Sequence, residues 1–264
     1  MKPLLFPLRL LFTVYAFAVF LACMLLIFPI ALICSMRGKV TGGNTIYTLC
    51  RGWTDVQLAL CGIRHINYFE TPHEAQRPFV FVFNHNSYMD IPILLKAIRR
   101  QHIRILGKAE MATIPIFGFF YRQTVVLVDR HNADKRARSV MQLKSILRKG
   151  ISVVIAPEGT FNMTEKPLKE FYDGAFRIAI ETQTALKPLL FLDNCDRLNY
   201  KSIFSLTPGK ARVIYLEAIS VEGLTLKDVQ LLKEKVFNLM EKKLIEYKAS
   251  WIKPQQAILV NDEV

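Results

Sequence analysis

The chain has 264 residues, 52% of them hydrophobic, and a formal net charge of +13; that is enough sequence to bury one large core or two modest ones. Its five cysteines, Cys23, Cys34, Cys50, Cys61 and Cys195, form no Cys-x-x-Cys pair, which argues against a disulfide framework or a zinc site and fits a reducing cytosolic setting. The positive charge points to an anionic partner. The apolar start of the chain favours an anionic membrane surface over nucleic acid, since basic residues beside such a surface gain about 1 kcal/mol each.

Leu10 to Met36 is an uncharged run of 27 residues between Arg9 and Arg37. As one helix it is roughly 40 Å long, more than the ~30 Å hydrocarbon core of a bilayer requires. It is too long for a signal peptide and lacks a clean small-x-small cleavage site. Pro29 should kink the run or split it in two. Tyr47 to Ile63 has apolar residues at helical spacing, so one spanning helix and two helices dipping into one leaflet both fit. Basic residues on both flanks leave the orientation open.

Beyond this segment, strand and helix signals alternate. Strands are predicted at Phe79–Phe83, Ile103–Leu106, Thr124–Val128, Ser152–Ala156, Leu186–Leu192 and Ala211–Leu216, where short apolar runs are bounded by turn residues. Helices are predicted at Ile91–Ile98 and at Asp134–Lys149, the latter stopped by Gly150. A charged amphipathic helix follows from Leu226 to Lys248. The expected architecture is α/β, a mostly parallel sheet flanked by helices. It divides into a membrane-associated helical segment (1–64), an α/β domain (65–250) and a tail (251–264).

The stretch "NHNSYMD", Asn84 to Asp90, sits where the first of these strands meets its helix. Read locally, Ser87 and Asp90 are a helix-capping pair and His85 an ordinary loop residue. Three further stretches also lie at strand ends: "GKAEMATIPIFGFF" (Gly107–Phe120), "VDR" (Val128–Arg130) and "APEGTFN" (Ala156–Asn162). With parallel strands, His85, Asp90, Lys108, Arg130, Glu158 and Gly159 all face one edge of the sheet, the edge at which open α/β sheets bind ligands.

In this order and spacing the residues resemble the glycerolipid acyltransferase family. That family comprises the 1-acylglycerol-3-phosphate acyltransferases and their relatives, marked by His-x4-Asp and a later Pro-Glu-Gly-Thr. "NHNSYMD" matches the first motif and Pro157–Thr160 the second, and the likeness runs from about Phe79 to Leu192. The resemblance implies transfer of a fatty acyl group from acyl-CoA or acyl carrier protein to the hydroxyl of a lyso-lipid at the cytoplasmic membrane. The site would face the cytosol, and no metal or organic cofactor would be needed. It also places Glu158 and Thr160 at the acceptor's polar head.

The residue types suit that chemistry. Histidine can take a hydroxyl proton at neutral pH, and a carboxylate can fix its tautomer and stabilise the imidazolium. No serine or cysteine nucleophile has a suitable context, so the hydroxyl should attack directly. Amides near Gly159 are candidate oxyanion donors, although Gly159 could simply make a tight turn. Lys108 and Arg130 are the candidate phosphate ligands.

One position departs from the family pattern. Where an arginine commonly follows Pro-Glu-Gly-Thr, this chain has Phe161, which cannot pair with a phosphate. Either Lys108 and Arg130 hold it, or the acceptor is another lyso-lipid, such as an amino-acid-based one. The same His and Asp would also serve a hydrolase using water, and a non-catalytic anionic-lipid-binding protein is a further alternative.

Overall fold

A computed structural model describes residues 6–129 and 132–252. Helix α1 (Phe6–Ser35) runs unbroken through Pro29. Its stretch Pro7–Ser35 is long and apolar enough to cross a membrane. A glycine turn leads to α2 (Thr41–Leu60), which lies between α1 and the body of the molecule. The two helices lock together through Phe20 on Trp53, ring centroids 4.6 Å apart. Leu11, Phe17, Leu26 and Ile33 of α1 remain exposed, an apolar face that water does not favour.

The helical pattern predicted to reach Ile63 ends at Leu60. Gly62, with φ +61°, reverses the chain in a conformation suited to glycine. Ile63 then opens strand β1 (Ile63–Phe69), which the sequence reading did not anticipate. The expected boundary after residue 64 therefore falls inside a strand.

The remaining strands are β2 (Val80–Phe83), β3 (Ile103–Lys108), β4 (Val125–Val128), β5 (Ser152–Ile155), β6 (Leu186–Phe191) and β7 (Gly209–Tyr215). They form one sheet in the order β1-β7-β6-β2-β5-β3-β4. From β6 to β4 all neighbours are parallel. The β7 strand pairs antiparallel with β6 and parallel with β1, so this outer pair runs the opposite way.

Helices α3 (Asp90–Ala97) and α4 (Phe117–Thr124) share one sheet face with α2. There Phe79, Phe81, Phe83, Ile93, Leu94 and Ile105 are buried together. On the other face lie α5 (Ala133–Arg148), α6 (Gly174–Thr182) and α8 (Val229–Glu246), over Val80, Val82, Val153 and Ile155. A short helix, α7 (Asn194–Arg197), follows β6. Because β2, β3, β4, β5 and β6 are parallel, the chain leaves all five at one edge.

Candidate active site

Strand β2 ends at Phe83, and the side chain of Asn84 continues the ladder. Its Nδ2 donates to Phe191 O (3.0 Å) and its Oδ1 accepts from Phe191 N (2.8 Å). A buried amide with both its donor and its acceptor matched holds the exit from the sheet in one place. The next residue is His85.

Asp90 opens α3 and is completely buried, while the His85 side chain is 21% exposed. Asp90 Oδ2 accepts from His85 Nδ1 at 2.8 Å and from the amides of Asn86 and Ser87 at 3.0 Å each. Oδ1 accepts from Asn194 Nδ2 at 2.8 Å. The capping reading and the catalytic reading thus describe the same carboxylate, which ties the turn amides and also fixes the imidazole. With Nδ1–H held on Asp90, Nε2 carries the lone pair of a base.

Ser87 Oγ accepts from Met89 N (3.0 Å). It also lies 2.8 Å from Asn194 O and 2.6 Å from Leu198 O. The loop after β2 is therefore bolted to the loop after β6. Asn194 escaped the sequence reading. The signal was there: it is a polar residue just past a fully buried strand, placed like the other strand-end residues.

The loop after β5 supplies Glu158, also completely buried. Its Oε1 accepts from the amide of His85 (2.8 Å) and its Oε2 from that of Lys169 (2.9 Å). Glu158, which the resemblance sets at the acceptor's head, thus turns both of its oxygens to backbone amides. Asn162 N adds a 2.6 Å hydrogen bond to His85 O. Burial pushes the Glu158 carboxyl up to about 8, against the opposing pull of the two amides.

A carboxyl raised in this way holds its proton more tightly in the folded state than in the unfolded chain. Its contribution to stability is therefore full below about pH 4.5 and declines toward pH 8. We expect the unfolding free energy of the wild type, measured in urea, to fall across that window. Glu158→Ala should flatten the slope while leaving two buried amides unpaired, at about 1–3 kcal/mol each. It should also lower kcat by about 10²-fold, because the backbone of His85 loses its tether.

Gly159 has φ +72°, and a Cβ there would come within 2.7 Å of the Tyr172 ring. Its amide donates to Ala156 O (3.0 Å), and that of Thr160 donates to Glu158 O (2.8 Å). Both are committed to the turn, which is the structural role the sequence left open for Gly159. Thr160 Oγ1 accepts from Lys169 Nζ at 2.8 Å.

Phe161 packs on the imidazole of His85 with ring centroids 4.4 Å apart and meets Tyr88 edge-on at 4.9 Å. Lys108 is exposed at the end of β3, in register with Val128, and is not hydrogen-bonded to the His85 group. Arg130 lies outside the described residues. The structure thus brings together His85, Asp90, Glu158, Gly159 and Thr160, and leaves Lys108 at the rim.

The sequence model of a family described as Acyltransferase matches residues 64–191. Human 1-acyl-sn-glycerol-3-phosphate acyltransferase beta is 28% identical over 214 residues, covering 76% of this chain and 76% of that protein. The 1-acyl-sn-glycerol-3-phosphate acyltransferase of Haemophilus influenzae is 27% identical over 169 residues, covering 63% and 68%. The crystal structure of the 1-acyl-sn-glycerophosphate (LPA) acyltransferase PlsC from Thermotoga maritima superposes with a TM-score of 0.75 at 20% identity. It covers 93% of this chain and 98% of its own, which shows a shared fold. Residues 64–191 thus match the acyltransferase family, and with the relatives that share their sequence this makes the chain an O-acyltransferase.

Proposed function

We propose that the protein acylates 1-acylglycerol-3-phosphate at its free hydroxyl, giving phosphatidate, with acyl-CoA or acyl carrier protein as donor. The observation that carries the mechanism is the 2.8 Å bond from His85 Nδ1 to a buried carboxylate. That bond leaves Nε2 as the one basic atom of the pair open to a substrate. The hydroxyl gives its proton to Nε2 as its oxygen attacks the thioester carbonyl. The tetrahedral intermediate then collapses, and the leaving thiolate takes the proton from the imidazolium.

Asp90 orients the ring and stabilises its charged form. The Phe161 amide, which donates to nothing among the described residues, is the next N–H along the loop for the oxyanion. The thioester is itself the activated donor, so no metal or organic cofactor is invoked. The apolar face of α1 would hold the protein at the cytoplasmic membrane with the site toward the cytosol, where the basic surface meets anionic lipid.

One observation favours a second reading. The ring of Phe161 occupies the position after the motif and packs on His85, which suits an acceptor without a phosphate. Expression in a bacterial strain conditionally deficient in lysophosphatidate acylation separates the two. Restored growth with new phosphatidate supports the first reading, and no rescue by stably expressed protein supports the second.

A further inference from the structure

The loop that carries the motif contains a cation at a place the motif does not mark. Lys169 reaches the site twice. Its backbone amide donates to Glu158 Oε2, and the other oxygen of the same carboxylate takes the amide of His85. Its ammonium donates to Thr160 Oγ1 at 2.8 Å.

Lys169 is partly buried, and among the described residues no carboxylate forms an ion pair with it. An ammonium carries three N–H donors and no acceptor. Binding to Thr160 uses one of them and leaves the hydroxyl proton of Thr160 free to donate as well. The two side chains therefore present a small cluster of donors with net positive charge. Thr160 is the direct neighbour of Phe161, whose ring touches His85.

We infer that Lys169, with Thr160, is the site that recognises the acceptor's phosphate and sets specificity for it. The inference rests on the proposed phosphate-bearing acceptor. In such an acceptor the phosphorus is three bonds from the carbon that bears the reacting hydroxyl. A hydroxyl held at His85 thus brings its phosphate to the adjoining loop, while Lys108 stands exposed at the end of β3. The arginine that Phe161 displaces is replaced by a lysine eight positions later, carried back to the motif by the fold. This deepens the reading of the site by naming the group that reads the phosphate.

The test compares kcat/KM for 1-acylglycerol-3-phosphate and for 1-monoacylglycerol, its phosphate-free counterpart, in the wild type, Lys169→Met, Lys169→Arg and Lys108→Met. Lys169→Met should lower the ratio of the two at least tenfold, mainly through a higher KM for the phosphorylated acceptor. Lys169→Arg should restore most of it, since the guanidinium also pairs with phosphate. Thermal melts check that each variant is folded.

An unchanged ratio in folded Lys169→Met overturns the assignment, as does a fall in kcat equal for both acceptors. A ratio lost in Lys108→Met and kept in Lys169→Met overturns it too, and places the phosphate at the end of β3. A wild type that does not acylate 1-acylglycerol-3-phosphate overturns both the assignment and the reading beneath it.

Discussion

Asp90→Ala is expected to abolish measurable transfer and to destabilise the fold by about 3–5 kcal/mol, since it removes one partner from a buried, hydrogen-bonded charge pair. The carboxylate is completely buried and takes four donors: the His85 ring, two turn amides and the Asn194 amide. Alanine would leave all four facing an apolar gap. For a domain of this size the loss corresponds to a fall in Tm on the order of 10 °C.

Asp90→Asn separates the two roles. Asn194 Oδ1 is buried without a hydrogen-bond partner, so a flip of its side-chain amide would let it accept from the new amide group. We therefore expect the Asn variant to melt close to the wild type. Its kcat should still fall by about 10³- to 10⁴-fold, because no negative charge remains to stabilise the imidazolium. Parallel melting curves and turnover measurements on the two variants check this. A stable Asn variant with near wild-type kcat would deny Asp90 a part in catalysis.

His85→Ala is the complementary case. Its side chain is partly exposed and gives Asp90 one donor of four, so its removal should cost about 1 kcal/mol of stability. Loss of the general base should lower kcat by at least about 10³-fold, near the upper end of what such a group supplies. KM for the donor should change little. A variant that unfolds, or that keeps more than a tenth of wild-type kcat, contradicts the role given to His85.

The parts of the site legible in the sequence were those whose partners lie close along the chain. His85 and Asp90 are five residues apart across a strand-to-helix joint, and the pattern of apolar strand followed by polar loop marked that joint. The strands of the parallel block were recognisable because their burial makes them continuously apolar, as in β2 and β5. Strand β1 was not. At the edge of the sheet only Ile63 of its residues is buried, and its polar residues hide it.

Other partners could not be read because the chain supplies them from far away. Asn194 meets Asp90 across 104 residues, and Asn84 meets Phe191 across 107. Glu158 was recognisable as a motif residue, but nothing local showed that both its oxygens turn to backbone amides. Lys169 looks like one lysine among many until the fold brings it to Thr160. Pro29 was expected to kink α1 or split it in two, and the helix is not split there.

The most direct test of the account is acyl transfer by detergent-solubilised protein, wild type beside His85→Ala. Each receives a labelled acyl donor, as acyl-CoA or acyl carrier protein, with 1-acylglycerol-3-phosphate and separately with a lyso-amino-acid lipid that lacks phosphate. The account predicts labelled phosphatidate from the wild type and none above background from the variant. Transfer by the wild type to the phosphate-free acceptor alone would contradict the proposed substrate, and equal transfer by the variant would contradict the mechanism.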